Sequence, residues 1–163
     1  MSVRVAKRKD LAKIVRIYER AREFMQNAGN PSQWGNVYPP TSLIEADIAS
    51  KNLFVLDDGE MIYGVFAFFP LGDEIYENID GKWLNSHPHA AIHRVASSGE
   101  RRGVLRECVD YCLSVSSNLK IDTHKDNRPM QEALKKLGFC ECGKITLPDG
   151  GERIAFQLYK NNF

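Results

Sequence analysis

Two apolar, β-rich runs on either side of an Asp-Gly step constrain most strongly how this 163-residue chain can fold. The runs are residues 53–56 and 61–69, and the four residues between them are Asp57-Asp58-Gly59-Glu60. An Asp-Gly turn between two such runs is a strong short-range signal for a β-hairpin. We therefore expect an antiparallel strand pair near the middle of the chain.

A strand, a helix and a second strand are predicted to follow one another in the second half of the chain. Residues 89–96 and 119–123 have strand patterns, and residues 104–115 carry apolar side chains at helical spacing. Such a unit places two parallel strands in one sheet with a right-handed helical crossover between them. The sheet is therefore expected to be mixed.

The remaining elements complete the prediction of the fold class. Helices are expected within residues 11–27, 41–49 and 127–137, and a closing strand pair over residues 139–147 and 153–159. The predicted order is β-α-α-β-β-β-α-β-α-β-β. This is an α/β (α+β) fold with a mixed, mainly antiparallel central sheet of six to seven strands and helices on both faces. A single domain over residues 1–163 is expected.

Charge and composition exclude several classes of protein. The chain has 22 Lys and Arg against 21 Asp and Glu, a net charge of +1, so no bulk charge attracts nucleic acid or a membrane. No apolar stretch approaches the roughly 20 residues of a membrane span, and the first residues have no export-signal pattern. We expect a cytoplasmic protein with no nucleic-acid or membrane partner and no metal. Four cysteines are read as reduced thiols: Cys108, Cys112, Cys140 and Cys142.

Residues 95–106 join the end of a predicted strand to the start of a predicted helix through a basic turn that contains glycine. The free N–H groups at a helix N-terminus and the helix dipole together favour an anion. Arg101, Arg102 and Arg106 add positive charge suited to a phosphate or pyrophosphate. A plain βα turn with solvent-exposed arginines is the alternative interpretation.

Two motifs, taken with the order of elements, indicate a family. Residues 100–105 read Glu-Arg-Arg-Gly-Val-Leu, and Asn127 begins a helix that is followed by Gly138-Phe139. Over essentially the whole chain this resembles the GCN5-related N-acetyltransferase (GNAT) superfamily, whose turn has the form Gln/Arg-x-x-Gly-x-Gly/Ala. Gly103 matches the central glycine, whereas the first and last positions differ. Three segments also resemble a bacterial branch of unknown substrate: residues 30–38, 92–98 and 121–127.

The resemblance implies acetyl-CoA as the acyl donor and the acyl-CoA N-acyltransferase fold. In the family the peptide-like arm of the cofactor pairs with the strand before the turn, here at Val95, Ala96 and Ser97. Asn127 would contact the same arm where neighbouring strands separate. The turn and the first helical residues would hold the pyrophosphate, and they are Arg101, Arg102, Gly103, Val104, Leu105 and Arg106.

Acetyl transfer to an amine also requires a general base, because the amine must lose its proton. In the superfamily this base often lies on the strand before the turn, six or four residues ahead of the position that Val95 occupies here, and His89 is six ahead. Two-residue alternation predicts that His89 shares a strand face with Ala91, His93 and Val95. Imidazole titrates near neutral pH. We predict His89 as the base with His93 second; a surface histidine at an exposed strand start is the alternative.

Four aromatic residues lie in two irregular segments that, in the family, cover the acceptor site: Trp34, Tyr38, Tyr76 and Trp83. Aromatic walls could hold an amine substrate by packing or by cation–π contact. The alternative is that Trp34 and Trp83 anchor their loops to the core.

The resulting prediction is an acetyl-CoA-dependent N-acetyltransferase that acts on a primary amine of a small molecule or peptide, by direct attack of the amine on the thioester. The family frequently uses a Tyr seven residues after its Asn as the general acid, and that position is Leu134 here. Together with Glu100 and Leu105, this favours an alternative function, a catalytically weak or inactive CoA-binding module of the same fold. The C-terminal strands could also pair two copies into a homodimer.

Overall fold

One mixed sheet runs through residues 2–161, which are the residues that the computed structural model describes. Within that range there are eight strands: β1 (Ser2–Val5), β2 (Leu53–Asp57), β3 (Ile62–Phe69), β4 (Asp80–Gly81), β5 (Ala90–Ser97), β6 (Asn118–Thr123), β7 (Cys140–Thr146) and β8 (Glu152–Tyr159). The same range contains four α-helices: α1 (Leu11–Asn27), α2 (Thr41–Ala49), α3 (Val104–Val115) and α4 (Arg128–Lys136). The predicted domain also includes Met1, Asn162 and Phe163, which lie outside the described residues.

The strand order across the sheet is β1-β2-β3-β5-β6-β8-β7-β4. Within the described range β5 and β6 are the one parallel pair, and the other neighbours are antiparallel. Helices α1 and α2 pack on one face through residues such as Ile14 and Ile44, and α3 and α4 pack on the other through Cys108 and Leu134. The predicted mixed, mainly antiparallel sheet with helices on both faces is confirmed.

The sheet has one strand more than the predicted six to seven, and the extra strand is β4. Its two residues, Asp80 and Gly81, pair with Lys144 and Gly143 at the outer edge of β7. The backbones approach so closely that a Cβ on Gly81 would overlap the carbonyl oxygen of Cys142. A two-residue strand has no hydrophobic periodicity, so it left no signal in the sequence.

The predicted hairpin forms as expected. Strands β2 and β3 pair on either side of a turn in which Asp58 Oδ1 accepts hydrogen bonds from the backbone N–H groups of Glu60 and Met61, both at 2.8 Å. Gly59 adopts φ of 94°, a left-handed conformation that glycine reaches without steric cost. No helix within residues 2–161 has the length and apolar character needed to cross a bilayer.

A β-bulge interrupts β5 at Arg94. Arg94 has φ of 52°, and the pairing register between β3 and β5 shifts where Phe66 lies opposite residues 94–95. The hydroxyl of Tyr18 donates a 2.8 Å hydrogen bond to the Arg94 carbonyl, which fixes this conformation from α1. The bulge breaks the two-residue alternation, so Val95 packs on the α3 and α4 face while His93 stays on the other. The expectation that His93 and Val95 share a face was therefore wrong.

Candidate active site

The parallel pairing of β5 and β6 is short, and it creates a cleft. The two strands pair only at Ala90 with Leu119 and at Ala91 with Lys120. Beyond these pairs they separate, and a cleft of about 600 Å³ opens between them. Its walls come from the loop after α1, from β5 and β6, from the start of α4 and from the turn before β8. Predicted site residues on the walls are Trp34, Tyr38, His93, Val95 and Asn127.

His93 is paired with a carboxylate at the cleft. Its Nε2 lies 2.7 Å from Oδ2 of Asp73, and both residues line the cleft. The hydrogen bond from His93 holds the pKa of Asp73 below its ordinary value, so Asp73 is ionised at neutral pH. An ionised carboxylate only accepts hydrogen bonds, so Nε2 must carry a proton, and Nδ1 is the ring nitrogen that can accept one. This is the arrangement of an oriented base.

His89, the first-ranked candidate base, does not line the cleft. Its Nε2 accepts a 3.1 Å hydrogen bond from the backbone N–H of Asp73, so its lone pair is already in use. Burial lowers the pKa of His89, which keeps the ring neutral. The ring packs so tightly on Gly72 that a Cβ there would lie 2.8 Å from Nε2. The geometry therefore favours His93 over His89 as the base and gives His89 a supporting position.

Tyr76 and Trp83, predicted to contact substrate, do not line the cleft. Tyr76 is 1% exposed, stacks on His93 with ring centroids 5.8 Å apart, and donates a 2.6 Å hydrogen bond to Oδ2 of Asp122. The indole N–H of Trp83 donates to the Tyr76 carbonyl at 2.9 Å. Tyr76 fills the core under the loop before β5 and has no surface left for a substrate, whereas Trp83 is partly buried and packs against Tyr76.

Trp34 and Tyr38 do line the cleft. Trp34 is mostly buried, with its ring edge-on to Tyr18 at a centroid distance of 5.7 Å. Tyr38 is 37% exposed, and its hydroxyl accepts a 3.3 Å hydrogen bond from Nη1 of Arg94. One side of the Trp34 ring thus anchors the loop to the core, as the alternative interpretation expects. Tyr38 offers most of the exposed aromatic surface at the cleft.

The arginines near the basic turn differ in whether they pair with a carboxylate of another element. Arg94 is held by Asp47 of α2 at 2.9 Å, and Arg101 forms an ion pair with Asp58 of the hairpin and lies 4.7 Å from the centroid of the Tyr63 ring. Arg102 and Arg106 are exposed. The positive charge that the turn offers to an anion is therefore smaller than the sequence suggested. It comes chiefly from two of these four arginines, Arg102 and Arg106.

Helix α3 begins at the basic turn with its N-terminus open. Gly103 has φ of 81° and precedes the helix without a capping side chain. The first helical bond runs from the N–H of Glu107 to the Gly103 carbonyl, so the N–H groups of Val104, Leu105 and Arg106 lie ahead of it. Gly64 on β3 allows this turn to pack closely, since a Cβ there would lie 2.8 Å from Cγ1 of Val104.

Gln33 lines the cleft, although no pattern in the sequence indicated it as a site residue. Its Oε1 accepts hydrogen bonds from Nδ2 of Asn30 at 2.9 Å and from Nδ2 of Asn127 at 3.1 Å. Asn127 also caps α4, because its Oδ1 accepts from the N–H of Met130 at 3.3 Å. A glutamine in a loop has no local signature, and its partners are distant in sequence. Among residues 2–161 no group of three or more His, Cys, Asp or Glu side chains is arranged to hold a metal ion.

The chain is similar to solved structures over nearly its whole length. It matches the crystal structure of a GNAT-family acetyltransferase from Streptococcus agalactiae with 30% sequence identity and a TM-score of 0.87, covering 99% of this chain and 96% of that one. The chain belongs to the GNAT family of acetyltransferases.

Other solved structures have the same fold. A candidate acetyltransferase from Staphylococcus aureus is 27% identical with a TM-score of 0.72, covering 98% of this chain and 99% of that one. YncA, a candidate acetyltransferase from Salmonella typhimurium solved with its cofactor acetyl-CoA, shares the fold at 13% identity and a TM-score of 0.64, covering 99% of this chain and 95% of that one. Neither a family model nor a curated protein matches the sequence.

One GNAT feature is replaced in this chain. Leu134, seven residues after Asn127, is 0% exposed and packs in the core between α4 and the sheet. The side chain at this position therefore faces away from the cleft. A general acid for the leaving group, if the protein supplies one, must come from another element.

Proposed function

We propose that this GNAT-family chain transfers the acetyl group of acetyl-CoA to a primary amine of a small molecule or peptide. The observation that carries the proposal is the His93–Asp73 pair, which lies in a cleft between separated strands. One of those strands, β5, leads through the basic turn to the open N-terminus of α3. The site thus combines a base with features that suit a long, anionic acyl donor.

The residues present fit such a donor. Val95, Ala96 and Ser97 belong to a strand whose pairing with β6 has ended, so one edge of this strand can accept a peptide-like arm. The N–H groups of residues 104–106 and the side chains of Arg102 and Arg106 would hold a pyrophosphate. The donor would supply an acetyl group already activated as a thioester.

The proposed proton path begins at the amine. Nδ1 of His93 takes the proton, directly or through one water, and the ionised Asp73 stabilises the imidazolium that forms. The neutral amine nitrogen then attacks the thioester carbonyl carbon, a C–N bond forms and the C–S bond breaks. The nitrogen of the adduct loses its second proton to solvent, and the departing thiolate takes a proton from solvent, since Leu134 cannot supply one.

Direct attack, without a covalent enzyme intermediate, follows from the groups at the cleft. No cysteine lines it, and Ser32, which does, has no hydrogen bond to a histidine within residues 2–161. A serine without a neighbouring base is a weak nucleophile. The amine of the substrate is therefore the proposed nucleophile.

The decisive experiment measures thiol release from acetyl-CoA by the purified protein with a panel of primary amines: aliphatic diamines, amino acids, aminoglycosides and peptides with a free N-terminus or lysine. We expect thiol release and an N-acetylated product, identified by mass spectrometry, for at least one amine. The alternative, a CoA-binding module, predicts calorimetric binding of acetyl-CoA with no release for any amine. Failure to bind acetyl-CoA at millimolar concentration would contradict both.

A further inference from the structure

We propose that Gln33 binds the acyl donor, with its side-chain N–H groups donating to a carbonyl oxygen of that molecule in the cleft. This inference rests on the proposed function. Gln33 belongs to the loop between α1 and α2 and lines the cleft together with Asn127 and Thr123.

The orientation of the Gln33 amide is determined by its surroundings. Oε1 accepts from Asn30 and Asn127 at 2.9 and 3.1 Å, and the hydroxyl of Thr123 lies within 3.3 Å of the same atom. Two further facts fix the choice: the backbone N–H of His124, 3.4 Å from the same atom, can only donate, and Asn127 must present its Nδ2 because its Oδ1 accepts from Met130, so the oxygen of Gln33 must occupy this position. The reversed amide would set N–H groups against N–H groups. Nε2 is therefore fixed on the other side.

Nε2 has two N–H donors and no acceptor within residues 2–161, whereas Oε1 of the same amide is fully used. The buried side-chain nitrogen and oxygen atoms without a partner, among the described residues, are Asn30 Oδ1 and Asn85 Nδ2. Gln33 Nε2 is not one of them, so it is open to solvent in a residue that lines the cleft. A bound molecule can reach it.

The backbone of Gln33 is held as firmly as its side chain. Nη2 of Arg153 on β8 donates a 3.1 Å hydrogen bond to the Gln33 carbonyl. The backbone of Gln33 is thus held by β8, and its side-chain amide is held by the end of β6 and by the residue before α4. A donor that is already oriented binds an acceptor with little loss of conformational entropy.

The side-chain N–H groups of Gln33 limit the kind of group that it can bind. An N–H group repels an ammonium ion, and if it donated to a neutral amine it would occupy the lone pair needed for attack. A carbonyl oxygen is the matching acceptor. The acyl donor has carbonyl oxygens in its thioester and in the two amides of its arm, and Gln33 stands across the cleft from the β5 edge at which that arm is expected.

A purely structural role for Gln33 has a matched control at the end of α1, in a residue that holds the same loop. Nε2 of Gln26 on α1 donates to the carbonyl of Gly35 at 3.2 Å and to Oδ1 of Asn36 at 2.8 Å. Gln26 therefore fastens the loop but does not line the cleft. If Gln33 only fastened the loop, changes at Gln26 and Gln33 would have similar effects on ligand binding.

The test compares wild type, Gln33→Glu, Gln33→Met and Gln26→Met by calorimetric titration with acetyl-CoA and with CoA, after melting curves confirm folding. Gln33→Glu keeps the oxygen that Asn30 and Asn127 bind and removes the N–H donors, and Gln33→Met removes them without adding charge. We expect both Gln33 variants to bind acetyl-CoA roughly tenfold more weakly, and Gln26→Met to bind as wild type does. If the affinity falls for acetyl-CoA and not for CoA, the acceptor of the hydrogen bond is the thioester carbonyl. If it falls equally for both, the acceptor is an amide carbonyl of the arm.

Three outcomes would overturn the inference. Normal affinity in Gln33→Met would show that no donor is lost, even if Gln33→Glu binds weakly through its charge. Equal weakening in Gln26→Met would show a loop effect. If wild type binds acetyl-CoA and transfers acetyl groups while both Gln33 variants bind normally, the inference alone fails; if wild type binds neither ligand, the proposed function fails with it.

Discussion

Nε2 of His93 and Oδ2 of Asp73 lie 2.7 Å apart, although one residue is on β5 and the other is in the loop after β3. The loop is kept in place partly by His89, whose Nε2 accepts from the Asp73 backbone. Two histidines thus contact the same aspartate in different ways. His93 meets its side chain at the cleft, and His89 meets its backbone beneath the cleft.

We expect His93→Ala to lower kcat by about 10²- to 10⁴-fold, the usual contribution of a general base. His89→Ala is the matched control, because it removes a neighbouring imidazole that has no free lone pair and does not line the cleft. The measurement is kcat for the best amine across pH 6 to 9, with acetyl-CoA saturating. A larger loss in His89→Ala than in His93→Ala would contradict the assignment and restore the order predicted from the sequence.

The buried and exposed tyrosines should separate stability from substrate binding. Tyr76→Phe removes the 2.6 Å hydrogen bond that this buried hydroxyl donates to Oδ2 of Asp122, and a hydrogen bond of this kind contributes about 0.5–1.5 kcal/mol to stability. We expect a lower free energy of unfolding in urea and an unchanged KM for the amine. Tyr38→Phe, the matched change at the cleft, should leave stability nearly unchanged and raise the KM. The reverse pattern would show that Tyr76 contacts substrate.

The sequence predicted elements whose causes are local. The hairpin follows from Asp58-Gly59, and α3 and α4 follow from apolar spacing together with a capping Asn127. The bulge at Arg94 could not be predicted in this way, because the residues that hold it, Asp47 and Tyr18, are 47 and 76 positions away. The alternation of faces therefore failed just where the cleft begins.

The candidate site shows the same division. The basic turn was recognisable because strand, glycine and helix are consecutive in the chain, but the pairing of Arg101 with Asp58 depends on a hairpin 43 residues away. Gln33 was missed because its partners Thr123 and Asn127 are 90 and 94 positions away. Tyr76 and Trp83 were assigned to substrate because composition alone does not distinguish an aromatic ring under a loop from one on its surface.

The division of the arginines predicts different effects on acetyl-CoA affinity. Arg106→Gln removes an exposed charge in the first turn of α3, and we expect the Kd to rise about tenfold, as for the loss of about 1.4 kcal/mol. Arg101→Gln, the control, should change the Kd little, because its guanidinium is paired with Asp58 and lies over Tyr63. Calorimetry at 50 and 200 mM salt measures both. Greater weakening in Arg101→Gln would place the pyrophosphate nearer the hairpin than the helix.

Lys120 predicts an unusual dependence of stability on pH. This lysine is 6% exposed, its Nζ lies 3.9 Å from the centroid of the Trp83 ring, and burial lowers its pKa below the ordinary value. The unfolded chain therefore holds the Lys120 proton more tightly than the folded protein does. From the lowered pKa up to the unfolded value of about 10.4, this residue makes the fold more stable as pH rises.

Lys120→Met removes that proton while keeping an apolar chain of similar length over Trp83. We expect the difference in unfolding free energy, variant minus wild type, to fall as the pH rises towards 10 in urea titrations that begin at pH 7. Lys13→Met, at an exposed position of α1, is the control, and its difference from wild type should stay nearly constant. Groups that titrate in all three proteins cancel in these differences. A constant difference for Lys120→Met would mean that Lys120 titrates alike in the folded and unfolded chain, and that burial against Trp83 does not disfavour its charge.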